Sequence, residues 1–330
     1  MIDICLFGAG MIGAVHAGNV RRHPRARLKY VVDPNAEAAT RIAAATGAEV
    51  TDVETALTDP AIRGVIIASA TRTHADLSIA AAQSGKAIFC EKPIDMDIAR
   101  TDACLAVIRE TGALFQIGFN RRFDPSFAAL KQRILDGEIG AVEQVVITSR
   151  DPEPEAEAAV AAGGGLYREM TIHDFDMARH MLGEEPVELF AAGACLIQPY
   201  FARHGDVDSA MFILRTESGK LCHINNSARA VYGYDQRVEV HGSGGMLSAG
   251  NRRPTSVELS SAAAVSRDKP LHFFIERYQE SYFAELDHFL DCIETGTQPS
   301  VGTEDGRRAM LMCEAAKVSA VSGRFEPLGF

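Results

Sequence analysis

The sequence predicts an α/β protein with two domains: an amino-terminal doubly wound domain, and a carboxy-terminal α+β domain with a large, mostly antiparallel open sheet. Three observations predict it. The first third alternates short apolar runs with helical patterns. Beyond it, several strands follow one another across short turns. A length of 330 residues also suits two domains better than one. We place the boundary after Gly118, giving domains 1–118 and 119–330.

Strand–helix alternation with short connections defines the first domain. Such a pattern implies right-handed crossovers and a parallel sheet covered on both faces. The predicted strands are Ile4–Phe7, Leu28–Val32, Gly64–Ala68, Ala87–Cys90 and Ala113–Gly118, and the predicted helices are Met11–Arg22, Asn35–Thr46, His74–Ser84 and Ile98–Glu110.

The second domain has a different order of elements. Its strands are joined by turns such as Glu217–Gly219, which indicates an antiparallel sheet. Residues 151–165 are rich in Pro, Glu, Ala and Gly, and we expect a mobile surface loop there. The predicted helices are Pro125–Leu135, Leu166–Leu182, Tyr278–Glu294 and Thr303–Val321, and the predicted strands are Val142–Ser149, Val187–Ile197, Ala210–Thr216, Lys220–Ala228, Gln236–His241, Gly245–Ala249 and Ser256–Leu259.

Composition excludes several classes of function. The formal net charge of -11 disfavours nucleic acid or an anionic membrane as the main partner. The seven cysteines are scattered and include no Cys-x-x-Cys pair, so neither a disulfide framework nor a zinc site is indicated. The chain enters a strand pattern at once and has no apolar run near ~18 residues. We therefore expect a cytoplasmic protein without a membrane partner.

A glycine motif follows the first predicted strand. Gly8, Gly10 and Gly13 match G-x-G-x-x-G, with Met11 and Ile12 opening the next helix. Gly8 permits a tight turn, Gly10 lets backbone approach a pyrophosphate, and Gly13 lets helix and strand pack closely. The alternative is a glycine-rich turn that binds no ligand.

Asp33 decides between these interpretations. It ends the second predicted strand, 20 residues after Gly13, where a carboxylate can accept hydrogen bonds from ribose hydroxyls. The alternative role for Asp33 is a helix N-cap or turn residue in Asp-Pro-Asn. A carboxylate there would repel a 2′-phosphate and no Arg follows it directly, so we predict NAD rather than NADP.

Lys92 lies in Glu91-Lys92-Pro93, directly after the strand Ala87–Cys90. In a doubly wound sheet, ligands bind at the carboxyl ends of the strands. A lysine there can hydrogen-bond a substrate hydroxyl and stabilise its developing alkoxide. The alternative is a surface lysine in a turn.

Glu169 and His173 lie four residues apart in a predicted helix, so they share a face. Histidine is suited to take a hydroxyl proton near neutral pH, and a neighbouring carboxylate can orient it. A solvated helical ion pair is the alternative. Asp174 and Asp176 also resemble metal ligands, but no Cys or second close His completes a site, and we predict no metal.

The glycine motif, Glu91-Lys92-Pro93 and the Glu169-x-x-x-His173 helix together resemble the Gfo/Idh/MocA oxidoreductases, named for glucose-fructose oxidoreductase and inositol dehydrogenase. Four further stretches resemble the inositol-oxidising members specifically, and the resemblance covers essentially the whole chain. They are Gly118–Asp124 (GFNRRFD), Thr171–Arg179 (TIHDFDMAR), Tyr232–Glu239 (YGYDQRVE) and Glu304–Ala309 (EDGRRA).

The resemblance implies a Rossmann domain, an open-sheet domain and a tetramer assembled through the sheets. It also implies Lys92 and His173 as the catalytic pair, and substrate contacts near Asn120, Arg121 and Tyr234, with Glu169 and His173. The stretch from Ser69 to His74 resembles the family's nicotinamide-side loop, which adds Ser69, Thr71, His74, Glu91 and Lys92 to the cofactor residues. Thr73 is alternatively an N-cap of the next helix.

These implications give NAD-dependent oxidation of a ring hydroxyl of a cyclic polyol, with an inositol as the first choice of substrate. Two features depart from the inositol-oxidising members. Glu169 stands where those members have Asp, and residues 153–162 lack the aromatic and lysine side chains expected before the glycines. Another inositol isomer, a pyranose or a modified sugar is therefore the alternative substrate. A non-catalytic NAD-binding sensor is the alternative from another class, although Lys92 and His173 are both present.

Overall fold

The computed structural model describes all 330 residues, which form two compact units. The first unit comprises residues 1–123 and 280–308, and the second comprises 124–279 and 309–330. The prediction divided the chain once, after Gly118, into two continuous segments. In the structure, residues 280–308 also belong to the first unit. The reason is that Leu286, Phe289, Leu290 and Ile293 belong to the same buried cluster as the first strands.

Strands and helices alternate regularly at first and less regularly later. The strands are β1 (Ile2–Phe7), β2 (Ala26–Val32), β3 (Glu49–Val50), β4 (Ile62–Ile67), β5 (Ala87–Glu91), β6 (Phe115–Gly118), β7 (Val142–Arg150), β8 (Pro186–Ala194), β9 (Ser209–Thr216), β10 (Leu221–Ser227), β11 (Asp235–Gly242), β12 (Gly245–Ala249), β13 (Glu258–Ser260), β14 (Val265–Arg267) and β15 (Glu326–Pro327). The helices are α1 (Met11–Arg22), α2 (Ala36–Thr46), α3 (Val53–Thr58), α4 (His74–Gln83), α5 (Ile98–Thr111), α6 (Pro125–Leu135), α7 (Glu157–Ala161), α8 (Ile172–Leu182), α9 (Tyr200–Arg203), α10 (Phe274–Arg277), α11 (Gln279–Thr295) and α12 (Thr303–Ser322).

The first unit contains a six-stranded sheet in the order β3-β2-β1-β4-β5-β6. Every pairing is parallel. The strands are continuous apolar runs because both faces of such a sheet are covered; Ile4, Val65 and Ile88 are fully buried. The strand order reverses between β1 and β4, which is the switch point where doubly wound folds bind nucleotides.

The second unit contains a seven-stranded sheet in the order β12-β11-β7-β10-β9-β8-β15. Only β7 and β10 pair in parallel; the other pairs are antiparallel. Side chains alternate along β9, where Phe212 and Leu214 are buried while Met211 and Arg215 are exposed. Helix α8 packs on β7. Both predicted sheets are therefore confirmed.

The structure corrects three local predictions. Residues 151–165 are not entirely loop, because α7 forms within them and the Tyr200 hydroxyl donates to the carbonyl of Glu155 at 2.6 Å. The predicted helix Leu166–Leu182 begins as a wider π-helical turn, Leu166–Thr171, before α8. The predicted strand Val187–Ile197 ends at Ala194. In addition, β3 and α3 were not predicted. No helix combines the length and apolarity that crossing a bilayer requires.

Candidate active site

The glycine turn between β1 and α1 is shaped by backbone contacts. Gly8 has a φ of +103°, and a Cβ on it would lie 2.4 Å from the carbonyl oxygen of Ala68. A Cβ on Gly13 would lie 2.1 Å from the carbonyl oxygen of Gly8. A Cβ on Gly10 would meet no atom within 4 Å. Gly8 and Gly13 are therefore required by the protein itself, whereas the space beside Gly10 is open to a ligand.

The amino terminus of α1 fits a dinucleotide phosphate. Gly10 provides no capping side chain, and the first turn of α1 contains no acidic residue. The first amide groups of a helix lack partners within it and attract anions. Met11 and Ile12, predicted cofactor residues, open this turn, where Met11 is 60% exposed. This turn therefore has the features that a pyrophosphate site needs.

Asp33 follows β2 and links it to the glycine turn. Its Oδ2 accepts a hydrogen bond from the amide of Ala9 at 2.6 Å, and its Oδ1 accepts one from the amide of Asn35 at 2.7 Å. The N-cap of α2 is Asn35, whose side chain accepts from Ala38, so Asp33 is not the N-cap. Its bond to the amide two residues on is the turn role that the sequence also allowed. A carboxylate can accept about four hydrogen bonds, which leaves capacity for ribose hydroxyls.

The segment after β4 carries Ser69, Thr71 and His74. The ring of His74 is buried, with Nε2 at 3.0 Å from the carbonyl oxygen of Ser69 and Nδ1 at 2.9 Å from that of Pro93. Thr73 occupies the N-cap position of α4 but makes no capping hydrogen bond; its hydroxyl donates to the carbonyl of Ala70 at 2.7 Å. His74 therefore ties this segment to the Glu91–Pro93 turn.

Glu91 ends β5, and Lys92 follows it in a cis peptide with Pro93. One Glu91 oxygen, Oε1, lies 2.6 Å from Nε2 of His16. Sequence reasoning missed His16, which is fully buried on α1. The available signal was a lone histidine three residues after Gly13, and a core histidine gives the same pattern.

Asn120 and Arg121 lie in a short 3₁₀ turn after β6. Both are buried, and the Asn120 side-chain nitrogen has no hydrogen-bond partner in the structure. The carbonyl of Asn120 accepts from the hydroxyl of Ser281. A buried donor without a partner costs free energy, which a polyol hydroxyl would relieve.

In the second unit, Glu169 lies in the π-helical turn and His173 in the first turn of α8. Glu169 is exposed and His173 half-buried. Glu169 lines a small cavity together with Asp151 and Glu155. The regular α-helix predicted across these residues therefore begins only at Ile172, and the shared face of Glu169 and His173 stays a prediction.

The residue after His173 anchors α8. The fully buried Asp174 accepts hydrogen bonds from the Ser149 hydroxyl at 2.5 Å and from the Asn226 amide at 2.8 Å. Asn226 in turn accepts from Thr171 at 2.7 Å. Because Ser149 and Asn226 belong to β7 and β10, this network fixes the start of the helix that carries His173.

Tyr234 precedes β11 and is buried, with its ring 5.9 Å from that of Tyr278 in an edge contact at 89°. Its amide donates to the carbonyl of Leu271 at 3.0 Å. The position of Tyr234 is thus held by both main-chain and ring contacts.

Comparison with known proteins agrees with this architecture. Residues 2–119 match the model of an oxidoreductase family with an NAD-binding Rossmann fold, and residues 127–248 match that of the GFO/IDH/MocA C-terminal domain. An inositol 2-dehydrogenase of Rhizobium meliloti is 48% identical, covering 97% of this chain and 97% of that protein.

Two further relatives extend the comparison. A scyllo-inositol 2-dehydrogenase (NAD(+)) of Bacillus subtilis is 37% identical over 91% of this chain and 88% of its own. The crystal structure of a myo-inositol dehydrogenase from Corynebacterium glutamicum superimposes with a TM-score of 0.95 at 42% identity, covering 100% of this chain and 99% of that one. With its NAD-binding Rossmann domain and matching C-terminal domain, this chain belongs to the Gfo/Idh/MocA oxidoreductase family.

Proposed function

We propose that the protein is an NAD-dependent inositol 2-dehydrogenase that oxidises a ring hydroxyl to a ketone. The observation that carries the proposal is the placement of Gly8, Asp33, Ser69, Lys92 and Asn120. Each follows the carboxyl end of a strand of one parallel sheet, the edge at which such sheets bind ligands. The named relatives, which act on inositols, support the choice of substrate.

Lys92 and His173 have complementary roles in this proposal. His173 accepts the hydroxyl proton, Lys92 stabilises the developing negative charge on that oxygen, and Glu169 orients the imidazole. Bound NAD would accept the hydride from the ring carbon that bears this hydroxyl. The products are then a ketone, NADH and a protonated His173, so that atoms and charge balance.

The proposal assigns substrate contacts to Asn120, Arg121 and Tyr234. Asn120 and Arg121 are buried, and the Asn120 side-chain nitrogen has no partner within the protein. Tyr234 supplies a hydroxyl on a held ring. These groups can donate to or accept from the several hydroxyls of a cyclic polyol.

The alternative substrates are another inositol isomer, a pyranose or a modified sugar. The observation that favours them is the carboxylate of Glu169, which lies on the π-helical turn directly before the helix that carries His173. A carboxylate one methylene longer than aspartate changes where a ring hydroxyl can sit.

The test is NAD reduction with a panel of myo-, scyllo- and chiro-inositol, glucose and an amino sugar, followed by NADH absorbance. We expect an inositol to give the highest kcat/KM, and the variants His173→Ala and Lys92→Met to lower kcat by about 10²–10⁴-fold. Met keeps much of the length and apolar stem of Lys92 while removing its charge. Unfolding midpoints within a few degrees of the wild type serve as the control. A clear preference for a pyranose contradicts the inositol assignment, and unchanged turnover in His173→Ala contradicts the proton acceptor.

The proposal includes a homotetramer assembled through the seven-stranded sheet, one face of which carries exposed side chains along β9. It also includes a cytoplasmic location, which cell fractionation tests.

A further inference from the structure

His16 is a buried polar residue with a single polar partner. It is fully buried on α1, and its only hydrogen bond joins Nε2 to Oε1 of Glu91 at 2.6 Å. The rings of Phe89 and Tyr282 meet it edge-on, with centroids at 4.9 and 5.8 Å. Nδ1 is buried without a partner. The ring is thus held by packing and directed at one carboxylate.

Glu91 is constrained from its other side. It pairs with Gly118 across β5 and β6, and a Cβ on Gly118 would lie 2.7 Å from Oε2 of Glu91. Only a glycine leaves room for the carboxylate there. The Glu91 carboxylate can accept a hydrogen bond from Nε2 of His16.

Lys92 lies between Glu91 and Pro93 in the chain. The carbonyl oxygen of Pro93 lies 2.9 Å from Nδ1 of His74. The turn that carries Lys92 is therefore fixed on both sides, by His16 through Glu91 and by His74 through Pro93. His16 also lies three residues after Gly13, on the helix that begins at the cofactor turn.

We propose that His16 is a positioning residue, which acts through Glu91 to hold the Lys92 turn in register with the cofactor turn. This inference rests on the proposed function for its turnover measurements. A displacement of about 1 Å in a reacting group costs on the order of 100-fold in rate, so a loose Glu91 would be felt in kcat.

His23 provides a matched control. It is also buried near one end of α1, and its Nε2 lies 2.9 Å from a carboxylate oxygen of Asp287. Its ring packs against that of Phe283 at a tilt of 30°, with centroids at 5.1 Å. It therefore resembles His16 in being a buried histidine paired with a carboxylate, although Asp287 is more exposed than Glu91, and its carboxylate partner is not next to Lys92.

The experiment compares His16→Leu, His16→Gln, His16→Asn and His23→Leu. We expect His16→Leu and His23→Leu to lower Tm similarly, while only His16→Leu lowers kcat, by about 10–100-fold. The Gln amide reaches as far as Nε2 and should restore most of kcat, whereas the shorter Asn amide should not. If the Leu variant does not fold, the Gln and Asn variants decide the question. Equal kcat in those two variants, or equal losses in the two Leu variants, overturns the proposal.

A double-mutant cycle tests whether His16 acts through Glu91. We expect Glu91→Gln to lower kcat and weaken NADH binding, and His16→Leu to add no further loss in that background. Full additivity overturns the proposal. NADH affinity, measured by fluorescence, makes the test independent of the substrate. If no inositol is oxidised, the proposed function fails. Non-additive losses of NADH affinity would still support the role of His16.

Discussion

Among single residues, Gly10 and Gly13 are required for different reasons although they belong to one motif. Gly13 leaves room for the backbone of Gly8, since an added Cβ would lie 2.1 Å from its carbonyl oxygen. Gly10 leaves room for something outside the chain, since an added Cβ meets no atom within 4 Å. Packing and ligand binding can therefore be separated by two alanine substitutions.

We expect Gly13→Ala to lower the unfolding free energy by about 1–3 kcal/mol or more, because strand and helix must move apart. Gly10→Ala should cost about 1 kcal/mol or less, because alanine is a poorer N-cap than glycine but also restricts the unfolded chain, yet weaken NADH binding about tenfold or more. Urea unfolding and NADH fluorescence titration measure the two effects. An unimpaired NADH affinity in folded Gly10→Ala would contradict the pyrophosphate placement.

The sequence predicts those site residues whose position follows from a strand end. Gly8, Asp33 and Lys92 come directly after strands of a parallel sheet, so one rule places all three. His16 is not predicted, because its role depends on a contact with Glu91 across 75 positions of the chain. No local pattern distinguishes it from an ordinary core histidine.

At the scale of elements, the end of β8 is determined by one carboxylate. Asp208 is fully buried, and its oxygens accept hydrogen bonds from the amides of Leu196, Ile197 and Gln198, each at 2.8 Å. These amides turn away from the strand ladder, so β8 stops at Ala194 although the apolar run continues to Ile197. Burial alone would raise the pKa of Asp208, but the three amides bring it below its ordinary value.

Asp208→Asn should lower the unfolding free energy near pH 7 by about 1–3 kcal/mol, because an amide nitrogen cannot accept and leaves a buried N–H unsatisfied. A carboxyl with a lowered folded-state pKa contributes stability above its ordinary pKa and loses it as the pH falls. The difference in unfolding free energy between wild type and variant should therefore begin to shrink below about pH 4 and disappear only as the pH falls through the lower folded-state pKa. Urea midpoints across pH measure this, with Asp136→Asn, an exposed carboxylate of the same unit, as control. If wild type and Asp208→Asn differ in unfolding free energy by the same amount near pH 7 and well below about pH 4, the role of the charge is contradicted.

Most strands and long helices follow from hydrophobic periodicity, because burial on one or both faces dictates it. Exceptions arise where a contact outside the segment decides the conformation. Asp208 ends β8 early, and Glu155 is held by the hydroxyl of Tyr200 in a stretch whose composition is typical of a mobile loop. The π-helical turn that carries Glu169 likewise has no periodic signature.

For the whole molecule, the sequence predicts two sheets but not the full membership of each unit. Helix α11 comes after all but the last strand of the second sheet in the chain, yet Phe289 and Leu290 are buried with the first strands. The amphipathic pattern of α11 predicts only that the helix packs on an apolar surface. The surface on which α11 packs is determined by contacts between residues far apart in the chain. A single domain boundary in the sequence cannot predict them.

The open face of the seven-stranded sheet has an apolar centre. Ile213 lies beside Phe190 on β8 and His223 on β10, and His223 lies beside Val146 on β7. Met211, on the same face of β9, is 53% exposed. In a closed symmetric assembly such a face meets a copy of itself, so one substitution places two altered side chains in each contact.

Ile213→Glu should therefore convert the proposed tetramer into smaller species, because paired buried carboxylates without counterions cost several kcal/mol per ion. Light scattering after size-exclusion chromatography measures the mass. Val318→Glu is the control, since Val318 is 54% exposed on α12, outside the sheet, and should leave the mass unchanged. Assembly through the sheet predicts that Ile213→Glu retains NADH binding, whose residues belong to the other unit. A wild-type monomer, or an Ile213→Glu variant of unchanged mass, would show that the open face serves another purpose than self-assembly.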